Sequence, residues 1–176
     1  DIRLACSLGT PGFLGPSFVE GYKEAHPNVT IHITEAHDTF CEALVTEGTH
    51  DLALVVLPAA SELEARTLYT TTVLWWVHKS NPLANKQTLS VEDLVNTTVA
   101  IPGDEFKCNQ NLVKRAEQQG VTPPSIVRYS EIFWIYEFAL QKKGIGFSLP
   151  HLAALDVFQS EDLVAIPSAD LTWGFG

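Results

Sequence analysis

The most regular alternation of hydrophobic and polar positions lies in residues 24–57. Three apolar residues separated by polar ones predict a strand with one buried face. The apolar residues of that strand are Val29, Ile31 and Ile33. A predicted helix begins at Asp38 or Thr39 and ends before Gly48, and an unbroken apolar run at 52–57 predicts a buried strand. This β-α-β order places the start of a helix at the carboxyl edge of a parallel sheet, where open α/β sheets bind small ligands.

The chain opens with a predicted strand at Ile2–Ser7 and a predicted helix at Pro11–Ala25. Thr10 suits the N-cap of that helix, because its hydroxyl can accept a hydrogen bond from an unpaired backbone N–H. In the next helix, Thr39 as N-cap would be answered by Glu42 three residues later, which is a capping box.

Beyond Leu57 the pattern predicts a second series of strands and helices. The predicted strands are 66–70, 73–78, 98–101, 125–129, 144–149, 163–166 and 171–175. The predicted helices begin near Ser90, Gly103 or Asp104, Ser130 and Pro150. Strands that alternate with helices indicate parallel sheets covered on both faces.

Two such series predict an α/β protein with two Rossmann-like lobes. The strand at 73–78 is expected to cross from the first lobe to the second, and the strand at 144–149 to lead back. The expected division is residues 1–70 with 152–176 in the first lobe and 71–151 in the second. Two lobes joined by two crossover segments form a cleft that can close on a small molecule.

Composition limits the classes of partner. The chain has 176 residues, a 45% hydrophobic content and a net charge of −10, so it is an ordinary globular sequence and a poor binder of phosphate backbones. Any contact with DNA would belong to another segment.

No apolar run reaches the roughly 18–20 residues of a membrane span. Three widely spaced cysteines indicate reduced thiols, with Cys6 and Cys41 in apolar patterns typical of a core.

The residues of metal and catalytic chemistry do not form a recognisable set. Six histidines are scattered without the spacing of metal ligands, and Ser7 has no nucleophile motif around it. The segment Gly144-Ile145-Gly146 lies in a predicted strand and does not open a helix, unlike a dinucleotide-binding loop. We therefore expect no catalytic residues, no metal and no cofactor.

Several pieces of the chain together resemble the effector-binding domain of LysR-type transcriptional regulators. The pieces are Ile2-Arg3-Leu4, the helix end at Ala25-His26-Pro27, the block from Leu44 through Gly48 and Asp51 to Leu54, the turn from His78 to Ala84, the helix Ser90–Leu94, and Gly144-Ile145-Gly146 with Leu149-Pro150. Asn81 replaces the histidine usual in the turn. Order and spacing carry the resemblance, which covers essentially the whole chain.

The resemblance implies a type II periplasmic-binding-protein-like fold that binds a small effector between its lobes. It also implies a cytoplasmic regulator that contacts DNA through a winged helix-turn-helix domain outside this sequence, and an antiparallel homodimer or higher homo-oligomer with no membrane partner. In that dimer the helix Pro11–Ala25 of one chain would pack near a second-lobe helix of its partner.

Positions that match the family's effector contacts follow the predicted strands. Carried over by position, they are Ser7, Gly9, Thr10, Asp38, Thr39, Pro102, Gly103, Ser130 and Phe147. Thr10, Thr39 and Ser130 would also serve as helix caps without any ligand, and the glycines would also serve turns. Asp38, with Asp104 and Glu105 across the cleft, predicts a neutral or cationic group on the effector.

Two other functions fit the same fold. An extracytoplasmic solute-binding protein of a transporter would be longer and monomeric, with a signal sequence. An enzyme would need a general acid and base in the cleft, and only Asp38 and Asp104 could supply them. Neither a nucleophile nor a metal set accompanies these carboxylates, so the regulator is the favoured interpretation.

Overall fold

The computed structural model describes the backbone of all 176 residues and every side chain except those of Pro11 and Phe13. The chain divides into two compact units: unit 1 is residues 1–70 with 174–176, and unit 2 is 71–173. The chain enters unit 2 at the predicted position. It returns to unit 1 only after Trp173, so residues 152–173 group with unit 2, whereas the sequence places them in the first lobe.

Unit 1 contains a parallel sheet of three strands, β1 (Ile2–Ser7), β2 (Ile31–Ala36) and β3 (Leu52–Leu54), in the order β2-β1-β3. Leu4 lies beside Ile33 and Leu52, so these three side chains share one face of the sheet. Ala5 lies beside Thr34 and Ala53 on the opposite face. The predicted β-α-β unit is confirmed.

The helix predicted as one element at Pro11–Ala25 is two, α1 (Pro11–Leu14) and α2 (Pro16–Ala25). Gly15 between them has φ 74° and ψ 158°, outside the helical region. Pro16 disfavours the α conformation of the residue before it, and glycine accepts the positive φ that results. The Gly15-Pro16 pair in the sequence indicates this break. The apolar periodicity continues across the pair and therefore predicts a single helix.

Helix α3 (Asp38–Thr46) begins two residues earlier than a Thr39 cap would place it. His37 is the N-cap, and its Nδ1 accepts the N–H of Phe40 at 3.2 Å. The predicted capping box is wrong, because Glu42 Oε1 accepts the N–H of Ala60 at 2.9 Å instead. The predicted stop at Gly48 is confirmed by its φ of 72°.

The core of unit 1 forms where α3 packs on the sheet. This core cluster contains the buried residues Ala5, Cys41 and Val55, with Ala36, Leu44 and Ala53 packed against them. Cys6 and Cys41 are buried, as predicted, and all three cysteines are free thiols.

Unit 2 is built on a five-stranded sheet in the order β6-β5-β7-β4-β8. Its strands are β4 (Tyr69–His78), β5 (Thr98–Ile101), β6 (Ser125–Arg128), β7 (Ile145–Ser148) and β8 (Leu163–Phe175). Strand β5 is parallel to β6 and β7, and β4 is antiparallel to β7. The two late strands predicted from sequence are one continuous strand, and it is β8, not β7, whose end returns to unit 1.

The helices of unit 2 are α4 (Val91–Leu94), α5 (Lys107–Gln119), α6 (Ile132–Leu140) and α7 (Pro150–Ala153). Ser90 caps α4 in a capping box with Asp93, as its pattern predicts. Helix α5 begins later than predicted because a turn, closed by the N–H of Phe106 on the carbonyl of Gly103, precedes it. Helix α6 is capped by Glu131 without a side-chain bond, so Ser130 is not its N-cap.

Aromatic rings fill both faces of this sheet. Trp75 and Trp76 point to opposite faces, and both are buried. Trp75 meets Phe147 edge-on, while Trp76 packs on Tyr136 and Phe158. Both tryptophans therefore belong to the core of unit 2.

Strand β7 and helix α6 approach each other closely at Gly146. A Cβ on Gly146 would lie 2.7 Å from the carbonyl oxygen of Ile135, and one on Gly144 would overlap the carbonyl of Thr98. The Gly-x-Gly segment is therefore required by backbone packing.

Candidate functional site

The carboxyl edge of the unit 1 sheet is closed by a tight turn after β1. The N–H of Thr10 and its Oγ1 both donate to the carbonyl of Ser7, and the N–H of Leu8 donates to Ala36 at 2.8 Å. Ser7 and Thr10 are buried, whereas Gly9 is exposed and has φ 85°. This turn therefore exposes Gly9 to solvent and keeps Ser7 and Thr10 buried.

Asp38, the first residue of α3, is fully buried. Its Oδ1 accepts the N–H of Val56 at 2.9 Å, which links the start of α3 to the segment after β3. The negative charge also lies at a helix N-terminus, where the peptide dipoles favour it. Asp38 therefore has a structural role in the scaffold of the edge.

Thr39 is the accessible residue of this helix start. Its side chain is exposed, and its Oγ1 lies 3.0 Å from Nδ1 of His37. A ligand at the carboxyl edge of unit 1 would meet the hydroxyl of Thr39 and the backbone of Gly9.

The carboxyl edge of the unit 2 sheet carries a polar cluster that sequence reasoning did not identify. After β5, Asp104 forms an ion pair with Arg128 at 2.8 Å, from the end of β6. The buried Asn109 donates through Nδ2 to the carbonyl of Pro102 at 3.3 Å and to Asp104 at 3.2 Å. The position of Arg128 at the end of a predicted strand could have indicated it.

The remaining predicted site residues of unit 2 differ in access. Pro102 and Gly103 are half-buried, and Ser130 is exposed just beyond β6. Phe147 is buried, and its ring stacks on Trp173 with centroids 4.7 Å apart. Phe147 thus packs in the core of unit 2.

The nine predicted positions therefore separate into two groups. Four are buried in the scaffold of their own unit: Ser7, Thr10, Asp38 and Phe147. Five are reachable from solvent: Gly9, Thr39, Pro102, Gly103 and Ser130. The predicted convergence of both edges on one ligand stays a prediction.

The groups with clearly shifted pKa values are not among these accessible residues. Burial raises the pKa of Cys6 and Cys41 to about 11, which keeps both as thiols. The hydrogen bonds and charge of Arg3 lower the pKa of Asp51 to about 2, through an exposed pair with an N–O distance of 2.8 Å.

Among the residues whose side chains are described, no group of three or more His, Cys, Asp and Glu could hold a metal ion. Within the described helices, none has the length and apolarity needed to span a membrane.

Comparison with solved structures supports the fold. The effector binding domain of a BenM variant matches with a TM-score of 0.82 and 19% identity, covering 99% of this chain and 82% of that one. A Corynebacterium glutamicum OxyR C206S mutant, bound to H2O2, matches with a TM-score of 0.85 and 16% identity, covering 99% of this chain and 56% of that one. The predicted type II periplasmic-binding-protein-like fold is confirmed.

Comparison with sequences identifies the family. An uncharacterized HTH-type transcriptional regulator of Bacillus subtilis (strain 168), YwbI, is 25% identical over 144 residues, which is 79% of this chain. This chain spans about half of that relative, with 48% covered. The family model of the LysR substrate binding domain matches residues 1–175. The chain belongs to the LysR substrate binding domain family, and it is an effector-binding domain of the LysR type.

Proposed function

We propose that this domain is the ligand sensor of a longer, cytoplasmic transcription regulator that contacts DNA through a separate helix-turn-helix domain. The family match across residues 1–175 is the observation that carries the proposal. The curated relative, an HTH-type regulator about twice as long as the matched segment, supports it. A net charge of −10 agrees with DNA contact through a separate domain, because contacts with DNA phosphates require basic residues.

The carboxyl edges of the two sheets would supply the effector contacts. Parallel strands expose ligand-binding positions at that edge, and Thr39, Gly103 and Ser130 lie there with accessible atoms. One of the solved relatives is the BenM effector binding domain with its effector benzoate, at a TM-score of 0.79 and 20% identity. For a regulator, the effector must bind one arrangement of the domain more tightly than another.

The prediction of a neutral or cationic effector group is kept as a proposal. Asp38 is committed to Val56, so the carboxylates that would favour such a group are Asp104 and Glu105, both exposed. Arg128 offsets the charge of Asp104 and would be the residue to hold an anion. A binding screen in which only dicarboxylates bind would overturn the proposed neutral or cationic group.

The test is a thermal-shift screen of the full-length gene product against amines, neutral metabolites and carboxylates. A ligand that binds only the folded state raises the melting temperature. At a ligand concentration of 100 Kd, it increases the free energy of unfolding by about 2.7 kcal/mol. Thr39→Val and Ser130→Ala are expected to reduce the shift. Thr30→Val is the matched control, because Thr30 is exposed and precedes β2 at its opposite, amino end.

Two results would contradict the proposal. If Thr30→Val weakens binding as much as Thr39→Val, the ligand does not sit at the carboxyl edge. If the full-length product shows no DNA binding, the regulatory role fails even where a ligand binds.

Self-association is part of the proposal. Helix α2 exposes Phe18, and α6 exposes Phe133 and Trp134, with 61% of Trp134 accessible. Large exposed apolar residues on two helices suit an isologous dimer in which α2 of one copy meets α6 of another. Sedimentation of the full-length product measures the oligomeric state.

A further inference from the structure

We propose that unit 2 carries a small-molecule site beside helix α6, and that this site takes a zwitterion with an aromatic side chain, such as an aromatic α-amino acid. A pocket of about 260 Å³ opens at the surface there. All of its lining residues belong to unit 2, and the nine positions predicted for the effector are not among them. The inference is therefore independent of the proposed effector contacts.

Four aromatic rings form the apolar wall of this pocket. Tyr129 follows β6, and the centroid of its ring lies 5.6 Å from that of Trp134 and 6.2 Å from that of Phe138. Phe138 is buried, whereas Phe133 and Trp134 are exposed. The exposed rings offer surfaces on which the ring of a ligand can stack, and such a contact is more favourable than the burial of apolar area alone.

Two charged side chains of opposite sign line the same pocket without pairing with each other. Glu137 Oε2 accepts a hydrogen bond from Nε2 of Gln141 at 3.2 Å, so the amide holds the carboxylate in place. Among the described residues, neither Glu137 nor Lys143 has an ion-pair partner. The pocket thus offers a hydrogen-bond acceptor of negative charge and a donor of positive charge at separate positions.

A turn at the end of α6 sets the position of Lys143. The N–H of Lys143 donates to the carbonyl of Phe138 at 3.1 Å, and Lys142 before it has φ 61°. This left-handed conformation is favourable for glycine and costs energy in lysine. The turn brings the chain back against Phe138, so the backbone fixes where Lys143 meets the pocket although its side chain is exposed.

The lining selects the chemical class of the ligand. A ligand with a single charge would be attracted by either Glu137 or Lys143 and repelled by the other, whereas a zwitterion pairs with both. The ammonium of the ligand would face Glu137 and the aromatic rings, which also attract cations, and its carboxylate would face Lys143. The volume lies below the roughly 300–1,000 Å³ of pockets for drug-sized ligands, so it suits a single amino acid.

The pocket shares two rings with the surface proposed for self-association. Phe133 and Trp134 are the exposed apolar residues of α6, so a bound amino acid and α2 of a second copy would compete for them. Failure of the self-association proposal leaves this inference unaffected, because titration measures binding of the ligand directly.

Calorimetric titration of the full-length gene product with L-phenylalanine tests the proposal. Phenethylamine lacks the carboxylate, phenylpropionate lacks the ammonium, and glycine lacks the ring. Each is expected to bind about two- to tenfold more weakly than L-phenylalanine, because it loses one exposed charge pair or the stacked ring.

Charge-neutralising variants assign each charge of the ligand to its partner. Glu137→Gln should weaken the binding of L-phenylalanine and phenethylamine and leave phenylpropionate unchanged. Lys143→Gln should weaken L-phenylalanine and phenylpropionate and leave phenethylamine unchanged. Glu117→Gln and Lys114→Gln are the matched controls, because they remove the same charges from exposed positions on α5. Trp134→Ala should weaken all three compounds that carry a ring.

Three results would overturn the proposal. The first is that millimolar L-phenylalanine produces no binding signal with the unmodified protein. The second is equal affinity for L-phenylalanine, phenethylamine and phenylpropionate, which would mean that the two charges do not act on the ligand. The third is that Glu137→Gln and Lys143→Gln bind L-phenylalanine as tightly as their α5 controls, which would place the ligand elsewhere on the molecule.

Discussion

At the scale of single residues, one buried carboxylate fixes the carboxyl edge of unit 1. Asp38 accepts the N–H of Val56 and so connects α3 with the segment after β3. A buried N–H without an acceptor is costly, so this bond stabilises the fold more than its exposed counterparts would. Sequence pattern predicts that Asp38 lies near the start of a helix, but not that its side chain faces inward, because the chain after β3 supplies the partner.

The first prediction concerns this bond. Asp38→Ala is expected to lower the free energy of unfolding by about 1–3 kcal/mol, because Val56 loses its acceptor. Asp38→Asn retains an oxygen acceptor and should cost less. Urea denaturation measures both variants.

Asp156→Ala is the control for that measurement, because Asp156 is exposed and its removal should change stability by less than about 0.5 kcal/mol. Equal stability of Asp38→Ala and the unmodified protein would contradict the assigned role of Asp38.

At the scale of elements, short helices depend on their caps. Helix α4 has four residues, and its first turn is held by the Ser90–Asp93 capping box. The carboxylate of Asp170 also accepts the N–H of Val91, and Lys86 pairs with Asp93. Ser90 three residues before an acid is a local signal, so this helix could be predicted from sequence.

The second prediction is that Ser90→Ala lowers the free energy of unfolding by about 1 kcal/mol, because the N–H of Asp93 loses its acceptor. Ser90→Thr keeps a hydroxyl acceptor and is the control. Thermal denaturation of the two variants distinguishes a lost cap from a general change at this site.

The third prediction follows from the lowered pKa of Asp93, caused chiefly by its hydrogen bond from Lys86. A lowered folded pKa means that the ionised carboxylate stabilises the fold above its ordinary pKa of about 3.9. This contribution is lost as the pH falls through the folded pKa.

The stability difference between the unmodified protein and Asp93→Asn should therefore be present at pH 7 and shrink below about pH 4. Melting curves from pH 7 to pH 3 measure it. Glu92→Gln removes a charge from the exposed side of the same helix and is the control. A difference that grows at low pH would contradict the assignment.

Helices whose N-caps are not of the preferred residue types were harder to predict. His37 caps α3 through its ring nitrogen, and histidine is not among the preferred N-cap residues. Helix α5 begins after a turn that pattern alone assigns to the helix. The strands β5, β6 and β7 were predicted to within about one residue. For β5 and β7 the reason is that buried parallel strands are continuous apolar runs.

At the scale of the whole molecule, unit 2 is one continuous stretch of chain and unit 1 is not. Residues 71–173 contain nearly all of the five-stranded sheet, whereas unit 1 needs residues 174–176 from the far end. The position of the return could not be predicted, because the sequence pattern identifies β7 and β8 as strands but does not show which of them continues into unit 1.

The fourth prediction concerns isolated fragments. Residues 71–173 expressed alone should fold and unfold cooperatively, since they contain nearly all of the five-stranded sheet and its aromatic core. Residues 1–70 alone should be largely unfolded, because Val55 and Leu57 lose their backbone partners. Circular dichroism during heating measures both. A cooperative 1–70 fragment beside an unfolded 71–173 fragment would reverse the assignment of which unit is self-sufficient.

The close contact between β7 and α6 at Gly146 bears on how such domains are recognised. The Gly-x-Gly segment helps to identify the family from sequence, yet its glycines are needed because the carbonyls of Ile135 and Thr98 leave no room for a side chain. Regulators that sense unrelated molecules can therefore share this signature. Inferring a chemical signal from a relative that carries the motif is unsafe, and specificity should be sought among residues that the motif does not include.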